Sequence, residues 1–107
     1  MKFVLHHNES FPPHYDLILD TGGTVEIFRI PEDFFFDLVS GSPVEYETVT
    51  GADKNSGPVN CGEGKVSVED SGEYSIEKPG TMILKGVKIS GKLIADSGSR
   101  HITLIPG

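Results

Sequence analysis

At 107 residues, with 36% hydrophobic and 23% charged residues, the chain has room for one modest core and is too apolar to be disordered. Nine basic against sixteen acidic residues give a formal net charge of −7, which disfavours tight non-specific binding to a polyanion, because the phosphate-neutralising term would be small or adverse. One cysteine, Cys61, excludes an internal disulfide and suits a reducing compartment; with no apolar run of membrane-spanning length and no basic leader, a single cytoplasmic domain over residues 1–107 is expected, with no membrane partner.

Lys2-Phe3-Val4-Leu5-His6-His7 reads as a strand, followed by a short Pro-rich loop. His14-Tyr15-Asp16-Leu17-Ile18-Leu19 opens a second strand, with Tyr15, Leu17 and Leu19 on one face and His14, Asp16 and Ile18 on the other. Asp20-Thr21-Gly22-Gly23 supplies turn chemistry and Thr24 to Ile30 returns, so residues 14–30 form a predicted hairpin. Pro31-Glu32-Asp33 has the marks of a helix entrance, and a short helix is predicted over Phe34 to Val39, ending at Gly41. Three consecutive phenylalanines in it cannot all face one core. Residues 50–64 are loop-like and include Cys61. Short β segments follow, punctuated at Asp70-Ser71-Gly72, Pro79-Gly80, Ser90-Gly91 and Ser97-Gly98. Val66 with Val68, Tyr74 with Ile76, Ile83 with Val87 and Ile89, and Ile102 with Leu104 are the expected inward faces. This spacing predicts an all-β fold, a small β-barrel of about eight strands with one short helix.

Chemistry concentrates at the N-terminus, where three of the four histidines, His6, His7 and His14, fall within nine residues. His14 and Asp16 project together, and an imidazole from His6 or His7 converges on them if the two strands pair. Two histidines and a carboxylate leave coordination positions open, as a catalytic rather than a structural metal site requires. A lone His-x-Asp pair is a weak signal, and the upstream histidines give it weight. His101 downstream of His14 and Asp16 also imitates the facial triad of non-haem iron oxygenases, but the pair lies too near the N-terminus and the chain is short for such a fold. Gly62-Glu63-Gly64 lacks the ending of a phosphate-binding loop, and Cys61 has no CxxC partner.

These segments resemble a known family. Phe3-Val4-Leu5-His6-His7, His14-Tyr15-Asp16-Leu17-Ile18-Leu19 and Gly23 through Pro31 resemble the opening of the 3′-phosphoesterase domain of bacterial ligase D. Gly57-Pro58-Val59, Gly62 to Val66, Asp70-Ser71-Gly72-Glu73-Tyr74, Leu84 to Leu93 and His101 to Ile105 are similar to its later segments. The resemblance implies a small β-barrel that holds one divalent cation, manganese or alternatively zinc, and trims DNA 3′ ends. It assigns the cation to His14, Asp16 and an upstream histidine. In the family the second histidine ligand stands six positions after the first; counting back six from His14 lands on Asn8, and one extra residue in the loop Glu9 to Pro13 brings in His7, with His6 the other candidate. Ile18 stands where the family has an arginine and Glu32 where it has a lysine, and around Tyr46-Glu47-Thr48 its downstream histidine is missing.

The expected function is a metal-dependent phosphoesterase acting on 3′ ends of nucleic acid in DNA repair, with Glu47 orienting the nucleophile and Arg29 supplying positive charge. Arg100 and His101 are other sources of that charge. The alternative is a catalytically inactive metal-binding or interaction module of the same fold within a repair assembly. A monomer is expected in either case, with nucleic-acid 3′ ends or repair-complex proteins as partners.

Overall fold

The computed structural model describes residues 1–9, 12–23, 25–49 and 66–106. Cys61, the predicted 50–64 loop and the glycine-rich segments of residues 57–65 lie outside them.

Alternating apolar residues build the first three strands: β1 (Lys2–Asn8), β2 (His14–Asp20) and β3 (Val25–Pro31). Helix α1 (Glu32–Val39) follows directly, then β4 (Val44–Glu45) and β5 (Glu47–Val49). The second half supplies β6 (Val66–Lys78), β7 (Thr81–Lys85), β8 (Ser90–Asp96) and β9 (His101–Pro106). All neighbours are antiparallel in one sheet of order β4-β9-β8-β7-β6-β1-β2-β3-β5. The all-β prediction holds, with nine strands where about eight were expected, because residues 44–49 contribute two short strands divided at Tyr46. Those two are the outermost strands of the sheet, so the sheet must curl to bring its margins together at Tyr46. The principal extents of 34 × 31 × 29 Å agree, since nine strands laid flat would make a slab about 38 Å wide and only about 10 Å thick. No ladder pairs the two margins among the described residues, so the sheet is curled rather than closed as a barrel.

The concave face carries the core, with Phe3, Leu5, Leu17, Phe28, Ile30, Leu84, Leu93 and Ile102 all buried. Ile18 and Ile27 form a smaller buried pair on the opposite face of β2 and β3. The helix begins at Glu32, two residues before the predicted start, with Pro31 in the N-cap position and Glu32 and Asp33 in the first turn. Its phenylalanines divide: Phe35 stacks on Tyr15 at 3.9 Å, while Phe34 and Phe36 are exposed.

Strand β6 departs most from expectation. Val66 and Val68 are exposed rather than inward. Leu5 pairs with Asp70 but His6 pairs with Val68, which leaves Glu69 as an inserted residue. A one-residue bulge reverses the alternation beyond it, so the valines leave the core face. Asp70-Ser71-Gly72 is interior strand and not a turn. Gly72 permits a close approach, since a Cβ there would meet the Lys85 carbonyl oxygen and the Phe3 ring. Ile76, near the far end of β6, is also exposed. Ser90-Gly91 likewise begins β8 instead of breaking it, and Val87 is an exposed residue of the 86–89 turn.

That turn is organised by Asp70. Its buried carboxylate accepts the backbone N–H groups of Ser71, Val87, Lys88 and Ile89 at 2.7–3.0 Å. Burial by itself would raise the carboxyl's pKa, but the four donors together hold it below the ordinary value. A carboxyl with a depressed folded pKa contributes stability above its unfolded pKa, and that contribution fades as pH falls through the folded value. Asp70→Asn is therefore expected to destabilise the protein by about 2 kcal/mol at neutral pH. Thermal unfolding of both proteins should show the gap narrowing in acid; a gap independent of pH would contradict this role.

Candidate functional site

The strand registers decide which side chains meet. His6 of β1 pairs with Asp16 of β2, Asp16 with Arg29 of β3, and Arg29 with Glu47 of β5. Directly paired antiparallel residues share a face, so His6, Asp16, Arg29 and Glu47 form one row across four strands. The next row on that face holds Asn8, His14 and Pro31. His6 thus lies on the face of His14 and Asp16.

His7 does not share that face. It pairs with Tyr15 and stacks on its ring at 4.4 Å, on the side of Phe3 and Leu5. Its Nε2 is 2.7 Å from Glu32 Oε2, and its Nδ1 is 3.8 Å from the carboxylate of the bulged Glu69, which also binds Lys88 Nζ at 2.8 Å. The preference for His7 over His6 came from loop spacing, whereas facing is set by register, and register favours His6.

Asp16 is the centre of the row. At 1% exposure its carboxylate needs neutralisation, and Arg29 supplies it: Nε donates to Oδ1 at 3.0 Å and Nη2 to Oδ2 at 3.4 Å. Oδ2 also lies 3.5 Å from His14 Nε2. His14 Nδ1 is 2.9 Å from the carbonyl oxygen of Pro12, which can only accept, so the proton sits on Nδ1. In the neutral ring Nε2 then presents a lone pair towards Asp16, and this tautomer-fixing contact is the kind that orients metal-binding histidines. Neither His14 Nε2 nor the buried His6 Nδ1 has a hydrogen-bond partner among the described residues. Burial lowers the His6 pKa, against the opposing field of Asp16, so its ring is more readily neutral and able to coordinate.

Tested for a cation, the donors fit in kind: two imidazole nitrogens without partners and one carboxylate, on one face. Among the described residues no three such groups stand at coordination distance, and Arg29 holds Asp16 where a cation would bind. Glu47 is exposed at the end of the row, beside Arg29. Ile18 is buried against Ile27 one row beyond Asp16. His101 lies in β9 and lines a separate cavity with Phe34, Asp37 and Glu45. Sequence reasoning missed Asn8, fully buried beside His14, and the role of Pro12, whose signal was the Pro-rich loop itself.

No family model matches the chain. Over 118 aligned residues it is 31% identical to the multifunctional non-homologous end joining protein LigD of Mycobacterium bovis and, to the same degree, to the multifunctional non-homologous end joining DNA repair protein LigD of Mycobacterium tuberculosis. The chain is similar to a segment of LigD. The alignment takes in 94% of the chain but only 15% of the length of either relative. Among the described residues no helix is long and apolar enough to cross a membrane.

Removing Arg29 alone would strand a buried carboxylate. In metal-free protein, Arg29→Leu is expected to lower stability by about 2 kcal/mol, less than for a fully buried pair because Arg29 is open to water. Denaturant unfolding should find the Asp16→Leu, Arg29→Leu double variant more stable than Arg29→Leu alone. The reverse order would contradict the neutralising role.

Proposed function

We propose that this chain is a metal-dependent phosphoesterase domain for 3′ ends of nucleic acid in DNA end repair, with one divalent cation, manganese in first place and zinc next, held by His6, His14 and Asp16. The observation that carries it is the tautomer of His14, fixed by Pro12, with its free nitrogen facing Asp16 and the unpartnered His6 nitrogen on the same face. Similarity to LigD supports nucleic-acid ends as the substrate. A bound cation supplies Lewis-acid polarisation of a phosphoryl oxygen and lowers the pKa of water.

The chain's own groups do the remaining work. Arg29 pairs with the Asp16 carboxylate and, through Nη2 with its long 3.4 Å contact, offers positive charge to a phosphoryl oxygen. Glu47 orients the attacking water and accepts its proton. The acidic surface leaves end recognition to this local row rather than to long-range attraction.

A second reading, a binding module without turnover, is favoured by Ile18 and Glu32. The resemblance to the 3′-phosphoesterase domain places an arginine and a lysine there, yet Ile18 is buried against Ile27 and Glu32 is engaged by His7. Both changes remove positive charge from the neighbourhood of a phosphate.

Calorimetric titration with manganese should give one site per chain, lost in Asp16→Ala. Affinity should fall at least about tenfold in His6→Ala and stay near wild type in His7→Ala. Manganese-dependent phosphate release from a 3′-phosphorylated primer-template, absent in Asp16→Ala, supports the phosphoesterase. Metal binding without release of phosphate from any ester supports the binding module, and no metal binding sinks the metal-dependent phosphoesterase.

A further inference from the structure

Beside the row lies a cavity of about 320 Å³ in which the proposed chemistry uses only Glu47, lined among others by Pro31, Phe34, Glu45, Glu47, Ser99 and Arg100. Its volume is that of a small-molecule site. Two of its walls belong to the site already described, since Pro31 pairs with His14 and Glu47 with Arg29. Successive rows on one face of a strand are about 7 Å apart, so the cavity opens within the reach of one nucleoside from Asp16.

Its lining combines three kinds of group. Phe34 is 41% exposed, an aromatic face kept accessible while the adjacent Phe35 is stacked away on Tyr15. Arg100 makes no hydrogen bond or ion pair through its guanidinium among the described residues, while its carbonyl accepts the Tyr46 N–H at 3.0 Å. Glu45 and Glu47 contribute carboxylates.

Arg100 carries a further clue in its backbone. Its φ is 56°, the one positive value outside glycine among the described residues. This left-handed conformation disfavours a non-glycine residue by about 1 kcal/mol. The turn does not need an arginine, because Asp96 Oδ1 organises it by accepting the N–H groups of Gly98 and Ser99. A strained position that glycine would fill more easily instead holds an uncommitted cation at the mouth of a cavity.

An aromatic plate, a planar donor and a carboxylate acceptor are the elements that recognise an unstacked base, by stacking and by hydrogen bonds to its edge. A bare phosphate suits the cavity less well, because Glu45 and Glu47 repel it. We propose that this cavity is a nucleoside subsite: it holds the base of the terminal nucleotide, stacked on Phe34 with Arg100 and Glu45 on its edge, while the 3′-phosphate lies at the His6, His14 and Asp16 row. The inference rests on the proposed function and adds the place where the terminal nucleoside is held.

The test is calorimetry without added metal, comparing adenosine 3′-monophosphate with inorganic phosphate. Wild type should bind the nucleotide more tightly than phosphate. Phe34→Ala should lose about tenfold in nucleotide affinity, the size expected for one base–aromatic stack. Arg100→Gly should lose several-fold while its thermal midpoint stays level or rises, since glycine relieves the left-handed backbone. Neither variant should change manganese affinity. Equal affinity of wild type for the nucleotide and for phosphate, or wild-type nucleotide binding by both variants, overturns the subsite. Failure of the metal reading shows separately, as absent manganese binding in wild type, and the nucleotide titration then still decides the cavity.

Discussion

A carboxylate removed from water must be met by positive charge or by hydrogen-bond donors, and the buried Asp16 imposes that demand on everything around it. Arg29 answers with a donor to each oxygen, and Oδ2 also looks towards an imidazole nitrogen that holds no proton in the neutral ring. Such an arrangement is stable with Arg29 in place, and it leaves two ring nitrogens beside the carboxylate without hydrogen-bond partners among the described residues. The pairing of β1, β2 and β3 makes this possible. A slip of one residue in either ladder would carry Asp16 away from His6 or from Arg29 and turn the facing side chains inside out.

The same register separates two histidine environments that adjoin in the chain. His6 lies in the polar row, while His7 is stacked on Tyr15 and tied to Glu32 and Glu69, where it fastens the start of α1 to the β1–β6 ladder. Glu69 reaches His7 because the bulge in β6 sets it free of the ladder. Fastening α1 matters beyond stability: the helix carries Phe34, and through Pro31 it continues directly from the strand that carries Arg29. The polar row and the adjoining cavity therefore share one rigid support.

Much of the fold was legible from residue alternation. The β2–β3 hairpin, the shared face of Tyr15, Leu17 and Leu19, and the helix after Pro31 follow from period-two and capping patterns alone. The phase of Val66 and Val68 was not, because an inserted residue at Glu69 leaves no mark in composition. Asp70-Ser71-Gly72 has the composition of a turn but is strand: Gly72 makes room for another backbone, and the Asp70 side chain serves a distant loop. At the candidate site, the grouping of His14 and Asp16 with an upstream histidine could be approached from sequence, but the choice between adjacent histidines and the place of Arg29 could not. Spacing counts residues in a loop; facing depends on which residues pair across the ladder.

The central claim, that His6 and His14 but not His7 surround Asp16 as donors to one cation, can be tested at the nitrogen atoms themselves. With histidine rings labelled with nitrogen-15 and diamagnetic zinc standing in for manganese, NMR titration should move His14 Nε2 and His6 Nδ1 together to the shifts of metal-bound nitrogen. His14 Nδ1 should stay protonated and the His7 ring should remain unchanged. A response at His7 with His6 silent, or loss of the His14 Nδ1 proton, would contradict the account.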